Sequence, residues 1–174
     1  MINVMVVDDQ TLVREGIKRL LALSEHIKIM AEGSDSEQML TILHRIIKHQ
    51  TVDVVLMDIS MPIKTGIKTV QALQCASIDI PVIIMTTFDD DPLVLQPIQA
   101  GAKGYLLKDV CLETIVDGIK TVHQGKTLIQ PAITERIIQS LKKHSHHNTQ
   151  LQEAPDISEK RKRSATFNGV RLQQ

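Results

Sequence analysis

The sequence has almost no aromatic residues: it contains no tryptophan, one tyrosine and two phenylalanines in 174 residues. A core without large rings must be built from valine, isoleucine, leucine and methionine, which favours a parallel sheet covered by helices on both faces. Only two cysteines occur, Cys75 and Cys111, and they lie far apart. We therefore expect no disulfide framework, a reducing cytoplasmic location, and cysteines that are either buried or inert thiols.

The sequence also lacks a hydrophobic run long enough for a membrane span, which needs about 20 apolar residues. Its N-terminus has no basic segment followed by a long apolar one, so we expect no secretory signal. The formal net charge is zero, but acidic side chains outnumber basic ones in residues 1–130 and the reverse holds in residues 131–174. These absences exclude the membrane, secreted and disulfide-rich classes.

What the sequence does contain is a strict alternation of aliphatic runs and helical patterns. Apolar residues recur at helical spacing after each of five runs rich in β-branched residues. The runs predict strands at residues 2–7, 27–31, 52–57, 82–85 and 104–107. Five such units predict a doubly wound α/β fold, in which a five-stranded parallel sheet has the flavodoxin-like strand order 2-1-3-4-5.

Residues that favour helix ends refine the predicted boundaries. Ser34 or Asp35 is suited to cap the second helix, and Gly101 is suited to end the fourth helix in a left-handed conformation. Pro97 falls inside the fourth helical pattern, where it would cost a regular helix about 3 kcal/mol. We therefore expect the fourth helix to be short, kinked or late-starting.

The alternation stops after Gly125, which divides the chain into three predicted parts. Residues 1–124 form the sheet domain, residues 125–157 form a linker, and residues 158–174 form a short basic tail expected to be disordered. Within the linker, Pro131 at a first helical position and a spaced set of isoleucines predict a helix over residues 131–143.

Polar side chains follow several predicted strands at their carboxyl ends, where open α/β sheets bind ligands. Asp8 and Asp9 follow the first strand, Asp58 the third, Thr86 the fourth and Lys108 the fifth. Clustered carboxylates repel one another unless a cation neutralises them, and oxygen ligands open to water favour Mg²⁺. In such a site an aspartate can attack a phosphoryl group and form an acyl phosphate, with the lysine and threonine beside it.

These residues lie in four motifs: VVDDQ at 6–10, LMDISMP at 56–62 followed by Gly66, MTTF at 85–88, and GAKGYLLKD at 101–109. Over residues 2–124 the chain resembles the receiver domain of two-component response regulators, with all four motifs in family order. The GYLLKD segment is most similar to the LuxR-type (NarL/FixJ-like) subfamily, whose members carry a helix-turn-helix output domain.

The resemblance implies a chemical role for each matching position in the acidic pocket. Asp58 would be the phosphoacceptor, and Asp9 and Asp58 would bind Mg²⁺ together with the backbone carbonyl of Ser60. Asp8 would act mainly through bound water. Lys108 would pair with Asp58 or with its phosphoryl group.

The resemblance also implies a switch. Thr86 would move toward the phosphoryl group, and Tyr105 would turn inward into the vacated space, which biases the surface formed by the fourth helix, fifth strand and fifth helix. Pro62 and Gly66 would shape the loop after the phosphoacceptor. Pro97 lies on the expected signalling surface, where the chain departs from the family pattern.

Partners and output follow from the same resemblance. It implies a sensor histidine kinase as the phosphoryl donor, a possible homodimer, and transcription regulation as the family's output. The protein would catalyse only its own phosphotransfer and dephosphorylation and would not be an enzyme with an outside substrate. After the basic run at 160–163 the tail leaves no room for a recognition helix, so we expect a truncated output domain without DNA binding.

Two other functions stay open at this point. A phosphatase of the haloacid dehalogenase type also pairs a nucleophilic aspartate with Mg²⁺, but it wants a second aspartate two residues later, where this chain has Ser60. Alternatively, the domain is an unphosphorylated interaction module that keeps the pocket without its chemistry. Turnover of a generic phosphoester favours the first function, and Mg²⁺-independent partner binding without phosphorylation favours the second.

Overall fold

The computed structural model describes residues 1–46, 48–61, 66–87, 95–135 and 137–138. Strands and helices alternate along the chain as the aliphatic runs predict. The elements are β1 Ile2–Val7, α1 Thr11–Leu21, β2 Ile27–Gly33, α2 Ser36–Ile46, β3 Val54–Asp58, α3 Gly66–Cys75, β4 Val82–Thr86, α4 Leu95–Gln99, β5 Gly104–Leu107, α5 Leu112–His123 and β6 Leu128–Ile129.

The strands form one sheet with the order β2-β1-β3-β4-β5-β6, and every neighbouring pair is parallel. The doubly wound α/β fold is confirmed, and the first five strands lie in the predicted order. A five-stranded sheet is one strand too few, because β6 adds to the far edge of β5. This strand has only two residues, so it is too short to give a periodic signal in the sequence.

Helices cover the two faces of the sheet, and each face has its own buried cluster. The face under α1 and α5, which we call the aliphatic face, is filled by Val4, Val6, Ile17, Leu21, Ile27, Val54, Leu56, Ile83, Met85, Leu106, Ile115, Val116, Ile119 and Val122. The opposite face, which we call the methionine face, packs against α2, α3 and α4 and includes Met5, Met39, Met57, Met61, Ile84 and Tyr105. Neighbouring residues of one strand alternate between the faces, as Ile83 and Ile84 do.

The helix ends agree with the residues that favour them. The Asp35 carboxylate accepts hydrogen bonds from the backbone N–H groups of Glu37 and Gln38, both at 2.8 Å, and so caps α2. Gly101 has a φ of +95° just after α4, a conformation that L side chains rarely adopt. The described part of α4 has five residues, and Pro97 is its third. The residues immediately before Leu95 lie outside the described part of the chain, so a short, kinked or late-starting fourth helix stays a prediction.

The chain continues past β6 onto the methionine face. Residues 131–135 and 137–138 are helical, and Ile133 is fully buried in the same cluster as Tyr105. The Gln130 backbone N–H donates to the Tyr105 carbonyl at 3.2 Å, and its side-chain oxygen accepts the Leu107 N–H at 3.0 Å. The rest of the predicted helix over residues 131–143 and the whole tail lie outside the described residues.

Two expectations from the sequence concern the cysteines and the lack of a membrane-spanning segment. Cys75 and Cys111 are both free thiols and both exposed, which excludes buried cysteines and leaves inert surface thiols as the prediction. Both lie at the ends of helices, where their side chains face water and not the sheet. Among the described helices, none has the length and apolar character needed to cross a bilayer.

Candidate functional site

The functional side chains predicted from the sequence meet at the carboxyl edge of the sheet. Asp8 and Asp9 follow β1, and Asp58 is the last residue of β3. Thr86 ends β4, and Lys108 follows β5. Because these four strands are parallel and β3 lies next to β1 and β4, their last residues reach the same rim. Local strand endings in distant parts of the sequence thus build one site.

Three carboxylates form a compact cluster at this rim. One carboxylate oxygen from each of Asp8, Asp9 and Asp58 lies within 4.8 Å of the others. Asp8 is 1% exposed and Asp58 is 3% exposed, whereas Asp9 is half-buried. Three acids at this spacing cannot all be ionised in a buried place without positive charge nearby.

Lys108 supplies part of that positive charge. Its ammonium nitrogen Nζ is 2.8 Å from Asp8 Oδ2 and 3.1 Å from Asp58 Oδ2, so it bridges two of the three acids. Burial disfavours the charge of Lys108, but the hydrogen bond to Asp8 and the charge of Asp58 outweigh burial and raise its pKa above the ordinary value. The lysine is therefore held in its charged form.

At Asp58 burial outweighs the attraction of the charged partner. Burial raises the pKa of the Asp58 carboxyl above its ordinary value, against the attraction of the Lys108 ammonium, and the negative charge of Asp8 adds to the rise. One ammonium thus does not fully compensate the negative charge at the rim. A further cation beside Asp58 would favour its ionised, nucleophilic form.

The acids fit such a cation. The Asp9 carboxylate has a buried oxygen, Oδ1, that finds no hydrogen-bond partner among the described residues. An oxygen in this position is costly unless something binds it. The donor set is entirely oxygen, which suits a hard divalent ion such as Mg²⁺. Asp8, Asp9 and Asp58 are therefore the residues that could hold it.

The predicted switch residues occupy distinct places. Thr86 is 1% exposed at the end of β4, whereas Thr87 is exposed and follows the strand. Thr86 is therefore the buried threonine at this strand end. Tyr105 is fully buried on the methionine face, opposite Ile84 of β4. Its ring is therefore already inside the protein in this structure.

Of the two residues predicted to shape the loop after β3, the structure describes Gly66. Gly66 begins α3, and a Cβ atom placed there would come within 2.9 Å of the Asp58 carbonyl oxygen. The absence of a side chain therefore lets α3 approach the phosphoacceptor candidate closely. The Ser60 backbone N–H is hydrogen-bonded to the Asp58 carboxylate, while Pro62 lies outside the described residues.

Two further residues of the site were not predicted from the sequence. The Gln10 backbone N–H donates to Asp8 Oδ1 at 2.8 Å, and Arg14 Nη1 donates to the Asp8 carbonyl at 2.7 Å. Gln10 acts through its backbone, so its residue type gives no signal. Arg14 lies one helical turn inside α1, and only its spacing from the paired acids could have indicated that it reaches back to them.

Comparison with known proteins agrees with this geometry. Residues 4–120 match the family model described as the response regulator receiver domain. The transcriptional regulatory protein LnrK of Bacillus subtilis is 34% identical over 82% of this chain and 63% of its own length. The response regulator UvrY of Escherichia coli is 36% identical over 79% of this chain and 61% of its own length. This chain thus spans about six tenths of these relatives.

Solved structures give the same result. The response regulator ChrA, from a heme-sensing two-component system, has a TM-score of 0.69 and 33% identity, covering 81% of this chain and 66% of the other. The signal receiver domain of the NarL response regulator of Mycobacterium tuberculosis has a TM-score of 0.65 and 30% identity. That alignment covers 72% of this chain and 98% of the other.

Proposed function

The chain belongs to the response regulator receiver domain family, and from this premise we propose that Asp58 accepts a phosphoryl group from a sensor histidine kinase. The observation that carries this proposal is the cluster of Asp8, Asp9 and Asp58 with Lys108 bridging two of the acids. The domain acts on itself and is not an enzyme with an outside substrate.

The proposed step is a phosphoryl transfer to a carboxylate. An oxygen of Asp58 attacks the phosphorus and forms a P–O bond, while the bond from phosphorus to the donor's imidazole nitrogen breaks. The Lys108 ammonium lies close enough to stay paired with Asp58 and to attract the added phosphoryl oxygens. Mg²⁺ held by Asp8, Asp9, Asp58 and the Ser60 carbonyl would supply further positive charge for those oxygens.

The phosphoryl group adds close to two negative charges at one buried rim. We propose that Thr86 responds as a hydrogen-bond donor, as the family resemblance implies, and that its movement changes the packing of the Tyr105 ring, which is already buried in this structure. Both residues lie at or next to the strands that border α4 and α5. The surface of α4, β5 and α5 would then differ between the two states, which is the form a signalling output needs.

The wider role is proposed by analogy with the relatives. LnrK is a transcriptional regulatory protein, and we propose that this receiver also serves transcription regulation in the cytoplasm, where free thiols persist. A phosphorylation-dependent homodimer is supported by three exposed leucines along α1 and just after it, Leu12, Leu20 and Leu23. Measuring molar mass by light scattering before and after phosphorylation tests it.

The phosphoacceptor is tested by incubating the full chain with acetyl phosphate and Mg²⁺ and measuring the intact mass. We expect a gain of one phosphoryl group in the native chain and none in Asp58→Asn. Asp79→Asn is a matched control, because Asp79 is an exposed aspartate outside the site, and it should gain the group as the native chain does. Hydroxylamine should remove the group, as it does from an acyl phosphate.

The proposal is wrong if the native chain gains no mass, or if Asp58→Asn gains as much as the native chain. Turnover of a generic phosphoester would instead favour the phosphatase alternative. The prediction that the tail of residues 158–174 does not bind DNA lies outside the described residues. A gel shift of the phosphorylated chain with mixed promoter DNA tests it, and a retarded band would contradict it.

A further inference from the structure

The loop between β1 and α1 carries two of the three acids and is held from α1. Arg14 Nη1 donates a hydrogen bond to the backbone carbonyl of Asp8 at 2.7 Å, and the Arg14 side chain is 13% exposed. The Gln10 N–H fixes the Asp8 carboxylate at 2.8 Å through Oδ1. The guanidinium therefore contacts the backbone of the acidic pair and leaves the carboxylate oxygens to other partners.

The other edge of the guanidinium is anchored on β2. Arg14 Nε lies 3.2 Å from Glu32 Oε2, and Lys18 Nζ lies 2.7 Å from the same oxygen. Lys18 Nζ also lies 2.7 Å from Glu15 Oε1, so Glu15 joins the same ion-pair network. A planar guanidinium with donors on two edges can join β2 to the loop after β1 in one fixed orientation, which a lysine ammonium cannot do.

Holding the Asp8 carbonyl fixes more than one residue. The Asp8 carbonyl and the Asp9 N–H belong to one planar peptide unit, so they rotate together. The orientation of that plane determines the direction in which both side chains leave the backbone. Asp9 Oδ1 has no hydrogen-bond partner among the described residues, so no hydrogen bond of its own holds this oxygen and its place depends on the backbone.

We propose that Arg14 is a positioning residue for the cation site, acting through the peptide plane between Asp8 and Asp9. This inference rests on the proposed function, in which Asp8, Asp9 and Asp58 hold Mg²⁺. Two effects of Arg14 oppose each other. Its positive charge repels a divalent cation, whereas its hydrogen bond orients the ligands, and the sign of the effect on Mg²⁺ affinity shows which is larger.

The test is a calorimetric titration of Mg²⁺ into the unphosphorylated full chain. We expect Arg14→Gln to raise the Kd for Mg²⁺ on the order of 10-fold, the effect typical of losing a partner that orients metal ligands. Arg14→Lys should resemble Arg14→Gln, because it keeps the charge and loses the planar fork. Arg19→Gln should bind as the native chain does, since Arg19 is an exposed arginine of the same helix.

A second readout separates positioning from chemistry. With acetyl phosphate as donor, Arg14→Gln should need more Mg²⁺ for half-maximal phosphorylation and should approach the native rate when Mg²⁺ is saturating. If Arg14→Gln does not fold by circular dichroism, Glu32→Gln replaces it. That variant loosens the anchor on β2 without touching the loop, and it should weaken Mg²⁺ binding by a smaller factor.

The inference is overturned if the folded Arg14→Gln chain, or Glu32→Gln in its place, binds Mg²⁺ as tightly as the native chain or more tightly. Full rescue by Arg14→Lys would also overturn it, because an ammonium without the planar fork would then serve equally well. Failure of the proposed function is a different result: in that case the native chain itself binds no Mg²⁺ or gains no phosphoryl group at Asp58.

Discussion

The two faces of the sheet bury comparable clusters with different kinds of side chain. The aliphatic face is built from branched valine, isoleucine and leucine, with Met85 as its only methionine among the described residues. The methionine face contains four methionines, Met5, Met39, Met57 and Met61, in the same cluster as Tyr105. Branched side chains have few rotamers, whereas methionine adapts to irregular space. One face is therefore suited to rigidity and the other to adjustment.

This difference coincides with the proposed signalling path. Tyr105 packs on the methionine face, and so does Ile133 from the segment after β6. A buried ring can change position only if its neighbours can repack, because protein interiors are close-packed. The contrast teaches that the adjustable side chains lie on the same face as the proposed switch residue Tyr105, while α1 and α5 pack on the stiffer layer.

The largest expected effect comes from neighbouring residues of β4. Ile83 and Ile84 are both fully buried, and they point to the aliphatic and the methionine face respectively. Replacing either with alanine should cost about 2–5 kcal/mol in the free energy of unfolding. We expect Ile83→Ala to cost more, because methionine side chains can move into the cavity left by Ile84→Ala. Urea unfolding of both variants measures the difference.

The two alanine variants can contradict the proposed difference between the faces. Equal costs, or a larger cost for Ile84→Ala, would show that the methionines do not relax and that the two faces are equally stiff. Ile83→Val and Ile84→Val serve as controls, since the smaller deletion leaves little space to fill and should cost about 0.5–1.5 kcal/mol at either position.

Two glycines give the next effect. Gly66→Ala on the methionine side should cost about 1–3 kcal/mol, because its Cβ would meet the Asp58 carbonyl oxygen at 2.9 Å and backbone cannot move aside cheaply. Gly16→Ala in α1 is the matched control. A Cβ there meets no atom within 4 Å, so alanine should stabilise the helix by about 0.5–1 kcal/mol.

Thermal unfolding of both glycine variants measures these changes, and the mass gain with acetyl phosphate shows whether Gly66→Ala also disturbs Asp58. A neutral Gly66→Ala would contradict the close approach of α3 to β3. A destabilised Gly16→Ala would mean that the outer side of α1 is not open.

A smaller and pH-dependent effect is expected at the cap of α2. Asp35→Ala should cost about 1 kcal/mol at pH 7, because two backbone N–H groups lose their acceptor. The hydrogen bond from Gln38, with those from Ser34 and Glu37, lowers the pKa of Asp35 in the folded state despite its partial burial. A carboxylate with a lowered pKa stabilises the fold above its unfolded pKa and stops doing so as the pH falls through its folded pKa.

The difference in unfolding free energy between the native chain and Asp35→Ala should therefore shrink toward zero in acid. Asp35→Asn is the control, because asparagine caps a helix without titrating. The difference in unfolding free energy between Asp35→Asn and Asp35→Ala should therefore not depend on pH. A difference that stays constant from neutral to acidic pH would show that the charge of Asp35 contributes nothing.

The smallest expected effect concerns the N-termini of the helices on the aliphatic face. The helices of the aliphatic face have no side-chain cap: Gln10 precedes α1, Cys111 precedes α5, and neither side chain accepts a capping hydrogen bond. Cys111 has the extended backbone that a cap requires. Cys111→Asp should therefore stabilise the protein by about 0.5–1 kcal/mol relative to Cys111→Ala. Equal melting temperatures for the two variants would contradict this expectation.

Much of the fold was accessible from the sequence because buried parallel strands are continuous aliphatic runs. The predicted limits of β1 and β5 match the structure, those of β2 and β4 differ at their carboxyl ends by two residues and one residue, and those of β3 differ at both ends. β6 was not accessible, since two residues carry no period. Its position depends on the edge of β5 and on Gln130, and neither contact leaves a local pattern.

The site divides in the same way. Asp8, Asp9, Asp58 and Lys108 could be brought together from the sequence because strand ends share a rim. The reach of Arg14 could not be predicted, nor could the burial of the Tyr105 ring before any phosphorylation, because a side chain's direction is decided by packing and by partners distant in sequence. Residue type and spacing locate a charge, and only the tertiary structure shows which atom it contacts.

The two-residue length of β6 has a consequence for solubility. The outermost strand of a sheet offers unpaired backbone groups to any other chain, and a long edge is a template for aggregation. Here the outermost strand beside β5 is Leu128–Ile129, and Gln130 turns its side chain onto the next N–H of β5. A second chain would find few unpaired backbone N–H and C=O groups along this strand. This edge of the sheet therefore protects the protein from self-association through strand addition.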